Sequence, residues 1–249
     1  MDNSTDTSWA KLFRIGAVLL PLAGFLALCG QAIQVYVDTL PFPAVDSGGS
    51  GFVASGYLQS FDFVGVHASL FNSEYSLLTL AVLAFLPAAI ALFVALRSSD
   101  VGISTVGASL AIVGIVFVLF AAVADFTEIQ EAVVWDGGCT PCGTTPIALG
   151  VGASTGGVAL QLGELLIVVG ILVLSILMLR SVAFSKVSGV LGIVAALYAL
   201  AGVFLFSSFS ELDSDIASAV SFSLIALWGL SITPRLLKLG RGSPGPAET

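Results

Sequence analysis

An acid and an amide inside a hydrophobic run are the side chains most suited to chemistry in this chain. Glu164 directly precedes the uncharged residues 165–179, and Gln161 lies one helical turn earlier. On a helix these two share roughly one side with Gly157 and Ser175, which would form a polar stripe. An acid within the hydrocarbon is costly, so it marks a site for a proton or a cation by default. The structural alternative is a carboxylate solvated from outside or bonded to a neighbouring backbone.

Cys139 and Cys142 form a second pair, with the C-x-x-C spacing of thiol–disulfide exchange motifs. In spacing alone this pair is similar to those of quinone-linked thiol oxidases and disulfide reductases of bacterial membranes. Those families relay electrons through a second pair, whereas only Cys29 is left here. We therefore expect a local structural disulfide, with a redox role as the alternative.

No other pattern indicates catalysis. His67 is the single histidine, which excludes bis-histidine haem ligation, disfavours a zinc site and rules out H-E-x-x-H. The glycine-rich residues 152–157 lack the lysine of a phosphate-binding loop, and no G-x-S-x-G is present. We predict no catalytic residue, no metal and no cofactor, and we expect His67 to be a surface or packing residue.

Composition identifies the surroundings of the chain. Of its 249 residues, 57% are hydrophobic and 10% are charged, with a mean hydropathy of +1.06. Soluble domains have about 45–50% apolar and about 25% charged residues, so a soluble fold and a disordered chain are both excluded. Three cysteines do not make a disulfide-rich scaffold, and a net charge of −8 disfavours nucleic acid. The lipid bilayer is the expected partner.

The uncharged stretches predict an all-α, polytopic membrane bundle. A helix needs about 20 apolar residues to cross a hydrocarbon core of about 30 Å. Five stretches meet this length without a charge, and a sixth does so when it is read through Glu164. The six predicted transmembrane helices cover residues 13–37, 75–97, 102–124, 158–180, 187–209 and 216–236.

The chain is therefore predicted to be one transmembrane domain, 1–249. Its outer connections are residues 38–74, 125–157 and 210–215, and residues 239–249 form a flexible cytoplasmic tail. Residues 52–71 resemble an interfacial helix. Residues 147–157 are apolar and rich in small side chains, which suits either a re-entrant segment or the start of the fourth helix.

Charge sets the predicted orientation. With six spans, all eight basic residues fall on one side of the membrane, and the positive-inside rule makes that side cytoplasmic. Eleven of the sixteen acids fall in the outer connections, which predicts an acidic outer surface. The chain is thus expected in the cell membrane, as a multi-pass protein with both termini cytoplasmic (N-in/C-in).

Small residues and prolines predict how the helices pack. Glycine and alanine stripes in the third, fourth and fifth helices would let their backbones approach closely. Pro21 and Pro87 lie inside the first and second helices and should kink them, because each removes a backbone hydrogen bond.

The layout resembles uncharacterised prokaryotic families of six-helix integral membrane proteins. The resembling segments are residues 11–16 (KLFRIG), 96–99 (LRSS) and 180–189 (RSVAFSKVSG). The resemblance implies a fold and no activity. The leading functional hypothesis is a non-enzymatic accessory or structural membrane component, with membrane-protein partners or a homo-oligomer. One alternative is a transporter of small solutes or ions that uses Glu164, with or without proton coupling. The other is a thiol oxidoreductase that uses Cys139 and Cys142.

Overall fold

The computed structural model describes residues 6–41, 63–134, 145–205 and 211–241. Within these ranges the chain forms long helices and no strand. The helices are α1 (Asp6–Asp38), α2 (Ala68–Leu96), α3 (Val101–Val134), α4 (Thr145–Arg180), α5 (Lys186–Leu205) and α6 (Glu211–Gly240). The all-α class predicted from the sequence is confirmed for this part of the chain.

Five of these helices are long and apolar enough to cross a bilayer. The segments that qualify are Trp9–Asp38, Ala68–Leu96, Val101–Gln130, Gly156–Arg180 and Ala217–Gly240. The apolar segment of α5, Lys186–Gly202, is shorter. The chain is therefore a polytopic helical membrane protein.

Several helices extend beyond the predicted spans. α3 continues to Val134 and α4 begins at Thr145, so the predicted outer connection 125–157 is helical at both ends. Residues 147–157 belong to the start of α4 and are not a re-entrant segment. α6 continues to Gly240, inside the predicted tail. A charged residue ends an apolar run but does not end a helix, since glutamate is a good helix former.

The helices form a closed ring in chain order. Each helix packs against the next one along the chain, and α6 returns to pack against α1. Neighbours run antiparallel: in α1, Gly16 lies against Ala91 of α2, whereas Gly30 lies against Leu78. The ring therefore has two ends, one of which holds both the start of α1 and the end of α6.

The closest backbone approach joins α3 and α4. A Cβ at Gly163 would lie 2.8 Å from the carbonyl oxygen of Gly114 and 2.9 Å from the amide nitrogen of Val118. A Cβ at Gly170 would lie 2.8 Å from the carbonyl oxygen of Gly107. α4 also packs against α5, whereas α3 and α5 are not neighbours in the ring. The small-residue stripes thus bring helices together in pairs, with α4 in the middle.

Pro21 in α1 is accommodated by a side chain from α6. A proline has no N–H, so it leaves the carbonyl four residues earlier, that of Ala17, without its helical donor. The hydroxyl of Thr233 donates to this oxygen at 3.0 Å, and it also lies 3.0 Å from the carbonyl oxygen of Gly229. Hydroxyl groups of neighbouring helices commonly satisfy such carbonyls in membranes. This bond also fixes the register of α6 against α1.

Basic side chains join the helices at one end of the ring. Arg14 donates from Nε to the carbonyl oxygen of Gly240 at 2.9 Å, which links α1 to α6. Arg235 donates from Nη2 to the carbonyl oxygen of Val182 at 3.2 Å, beyond the end of α4. The guanidinium of Arg97 lies 5.3 Å from the ring centroid of Trp9. We call this the basic end, and we call the opposite end, with Asp38, Glu74 and Glu128, the acidic end.

The contact between α3 and α4 predicts that Gly163→Ala destabilises the protein. The added methyl group would meet backbone atoms that cannot rotate away, and overpacking of this kind costs about 1–3 kcal/mol. Gly157→Ala is the matched control on the same helix, because nothing lies within 4 Å of a Cβ there. Thermal unfolding in detergent should show a lower midpoint for Gly163→Ala alone. Equal midpoints for the two variants would contradict the close approach.

The contact between Thr233 and Ala17 predicts a loss of stability in Thr233→Val of about 0.6–1.7 kcal/mol, the range of interhelical hydrogen bonds in membranes. The loss should shrink in a Pro21→Ala background, because alanine restores the N–H that bonds the Ala17 carbonyl. Thr105→Val is the control, since the Thr105 hydroxyl bonds only to Val101 O of its own helix, at 2.7 Å. Unfolding free energies of the four-variant cycle measure the coupling. An equal loss in both backgrounds would show that Thr233 does not act through Pro21.

Candidate functional site

One face of α4 points into the ring. Gln161, Glu164, Val168 and Ile171 follow one another at intervals of three or four residues, so they lie on one side of the helix. All four line a central cavity of about 430 Å³. The two polar residues singled out from the sequence therefore line this cavity together, with Glu164 half-buried and Gln161 exposed.

All six helices contribute to the cavity wall. Most of the lining side chains are small or aliphatic, with two phenylalanines, Phe85 from α2 and Phe222 from α6. The polar lining residues are Gln161 and Glu164 of α4 and Ser218 and Ser221 of α6. No lysine, arginine or histidine lies among the described residues that line the cavity. Glu164 is thus the single ionisable side chain among the lining residues that the structure describes.

The carboxylate of Glu164 has no partner within the described part of the chain. It makes no hydrogen bond or ion pair there, and neither does the Gln161 side chain. The hydroxyl of Ser221, in contrast, already donates to the carbonyl oxygen of Ala217 at 3.0 Å. The sequence alternative in which Glu164 bonds to a neighbouring backbone finds no support among these residues. A polar group in such surroundings needs water or a ligand.

The cavity lies in the half of the bundle near the acidic end. In α5 it is lined by Ala199 and Gly202, which precede the helix end at Leu205 by one or two turns. In α6 it is lined between Ala217 and Ile225, in the first half of that helix. Glu164 itself precedes Arg180 by 16 residues, or about 24 Å of helix at about 1.5 Å per residue.

A packed apolar layer separates the cavity from the basic end. Its central side chains are 0–1% exposed and come from three helices: Leu92 and Leu96 of α2, Leu177 and Met178 of α4, and Trp228, Ile232 and Leu236 of α6. Leu, Ile and Met side chains packed in this way interdigitate with few voids larger than a water molecule. We call these residues the apolar plug.

Two members of the predicted polar stripe lie outside the cavity. Gly157 is exposed, one turn before Gln161. Ser175 is fully buried in the plug region, where its Oγ and the Nε1 of Trp228 have no hydrogen-bond partner. A Cβ at Gly192 would overlap with both of these atoms, so Gly192 provides the space they occupy.

Four residues of the site were not identified from the sequence, namely Phe85, Ser218, Ser221 and Phe222. Ser218 and Ser221 are three residues apart in an apolar helix, and this spacing was the available signal for a polar face. For the phenylalanines no signal existed, because apolar side chains face lipid and cavity alike in a membrane protein.

The remaining predicted site residues lie away from the cavity. Cys139 and Cys142 are outside the described residues, and Cys29 is a free thiol. His67 packs on Phe63, with ring centroids 4.5 Å apart and Nδ1 at 2.9 Å from the Phe63 carbonyl oxygen, as expected for a packing residue. Among the described residues, no group of three or more His, Cys, Asp or Glu side chains could hold a metal ion.

Comparisons with protein-family models, with curated proteins and with solved structures find no match to this chain. The resemblance to six-helix membrane families, which concerns layout alone, therefore stays a hypothesis.

Proposed function

We propose that this protein is a six-span carrier that binds a small cationic solute in its central cavity and moves it across the cell membrane. The single observation that carries this proposal is the partnerless carboxylate of Glu164 on the cavity wall. Glu164 supplies the countercharge for the solute, and Gln161 offers an amide one turn away. The proposal takes up the transporter hypothesis and adds the place where the solute binds.

The accessory-component hypothesis explains less of the structure. A helix bundle that serves only as a scaffold gains nothing from a carboxylate without a partner, since replacing it with an apolar side chain would remove a desolvation cost. Nor does packing alone require a cavity lined by all six helices, because voids weaken a core. The two cysteines of the thiol oxidoreductase hypothesis, Cys139 and Cys142, lie outside the described residues.

In this proposal α5 also spans the membrane, which brings the number of spans to six. Its 20 residues measure about 30 Å at about 1.5 Å per residue, which matches the hydrocarbon core of a bilayer. The basic end faces the cytoplasm by the positive-inside rule, so both termini are cytoplasmic and the cavity lies in the outer half of the membrane.

The apolar plug closes the cytoplasmic side of the cavity, which corresponds to one state of the proposed transport cycle. A solute in the cavity is separated from the cytoplasmic end by packed side chains, so passage requires those helices to move apart. Alternating exposure of one central site to the two sides is the general scheme of secondary transporters. With the plug closed and the cavity in the outer half of the membrane, we assign this structure to the outward-facing state of such a scheme.

The six-span orientation predicts a labelling pattern for single cysteines in a cysteine-free chain. Thr39→Cys, Ser99→Cys and Arg241→Cys all replace exposed residues near helix ends. In intact cells a membrane-impermeant maleimide should label only Thr39→Cys, and the other two should react after permeabilisation. External labelling of both Thr39→Cys and Arg241→Cys would mean that α5 does not span, and external labelling of Ser99→Cys and Arg241→Cys without Thr39→Cys would contradict the predicted orientation.

The role of Glu164 predicts a loss of transport in Glu164→Gln. Purified protein in liposomes is exposed to sodium, potassium, ammonium and phenylethylammonium, and the transported charge is recorded as a current on a solid-supported membrane. At least one cation should give a current in the wild type. Glu164→Gln should reduce it by about tenfold or more, since removing one member of a desolvated charge pair costs about 2–5 kcal/mol.

Glu128→Gln is the matched control for this experiment. Glu128 lies on α3 near the acidic end and does not line the cavity, so the current should be retained. A wild type that gives no more current than protein-free liposomes would contradict a carrier of cations. A current unchanged in Glu164→Gln would remove this residue from the site.

A further inference from the structure

The cavity is too large and too apolar for a bare metal ion. Its volume of about 430 Å³ lies within the range of about 300–1,000 Å³ found for sites of organic ligands. Hard cations such as calcium take about six to eight oxygen ligands. Here the side-chain oxygens come from four residues, and the Ser221 hydroxyl is already used within its own helix. An inorganic ion would thus lose its hydration shell and gain an incomplete set of oxygen ligands from the protein.

Two aromatic rings make the same cavity suitable for an organic cation. Phe85 and Phe222 come from α2 and α6 and line the wall together with Glu164 of α4. The face of an aromatic ring attracts a cation through its quadrupole, most strongly where water is excluded. Aromatic side chains are also the usual recognition elements for ammonium groups on organic molecules. A carboxylate for the charge and rings and aliphatic side chains for an apolar body are therefore present in one cavity.

The charge of the ligand follows from the single acid. Glu164 is the one ionisable residue among the described lining residues, so a ligand with one positive charge is neutralised and a second charge would have no partner. Other acids at this end, such as Asp125 and Glu128 of α3, do not line the cavity. An anion would meet the carboxylate with no basic side chain to offset it.

We propose that the solute is a monovalent organic cation, an ammonium group attached to an apolar body, held by Glu164 with Phe85 and Phe222 around it. This inference rests on the proposed function for the place of binding and adds the chemical class of the ligand. It separates this site from one for inorganic ions, which would use the carboxylate but would be indifferent to the rings.

The test uses two probes of nearly equal shape, phenylethylammonium and phenylethanol, with sodium as the inorganic probe. Binding to the full chain in lipid nanodiscs is measured by titration calorimetry, with empty nanodiscs subtracted because both organic probes partition into lipid. We expect saturable binding of phenylethylammonium and at least about tenfold weaker binding of phenylethanol, because the alcohol leaves Glu164 without its countercharge. This comparison needs no variant.

Variants then assign the contacts. Glu164→Gln should weaken phenylethylammonium by about tenfold or more and should leave phenylethanol nearly unchanged. Phe85→Leu and Phe222→Leu should each weaken phenylethylammonium by about 2- to 30-fold, the equivalent of a cation–π contact. Phe126→Leu is the control, since this ring packs on Tyr75, at a centroid distance of 6.2 Å, and does not line the cavity. The inference is overturned if the folded protein binds phenylethanol as tightly as phenylethylammonium, or if it binds sodium and neither organic probe.

The outcomes separate this inference from the proposed function. Currents with sodium or potassium that depend on Glu164, together with no binding of phenylethylammonium, would refute the ligand class and retain the carrier. Binding of phenylethylammonium that depends on Glu164, together with no current for any cation, would retain the ligand class and refute transport.

Discussion

Contact between the first and last helices closes the ring, and the remaining features of the structure depend on this closure. If α6 did not return to α1, the cavity would open to lipid and Glu164 would face hydrocarbon, where an ionised side chain is costly. Three contacts fix the closure along its length: Gly24 against Ala226, Thr233 on the carbonyl of Ala17, and Arg14 on the carbonyl of Gly240. They lie at successive depths, so they set the register as well as the distance between the helices.

Closure has different consequences in the two halves of the bundle. Near the basic end the ring is filled, because leucine, isoleucine and methionine side chains from opposite helices meet at its centre. Near the acidic end the lining residues are smaller, as at Ala23, Ala81 and Ala217, and the same ring leaves a cavity. In lipid there is little hydrophobic gain from bringing helices together, so packing and polar contacts decide where they touch. The size of the inward side chains thus decides which half is closed.

The sequence was sufficient for the features that depend on single residues and composition. Glu164 stood out because one acid interrupts an otherwise apolar run, and it lines the central cavity together with Gln161. The other wall residues depend on the rotation of each helix about its axis, which packing against two neighbours determines. Phe85 and Phe222 could not be separated from lipid-facing residues for that reason. Helix ends such as Thr145 were missed because hydropathy shows which part of a helix lies in lipid, whereas the helix itself can continue beyond that part.

Spin-label accessibility at two neighbouring positions of α6 tests the central cavity most directly. Ser218 lines the cavity, whereas Val220 is 39% exposed and lies outside the lining, and the two differ in depth by only about 3 Å. With nitroxides on Ser218→Cys and Val220→Cys in bilayers, a water-soluble nickel chelate should relax the first label and dissolved oxygen the second. Relaxation of both labels by oxygen alone would contradict a polar cavity within the ring.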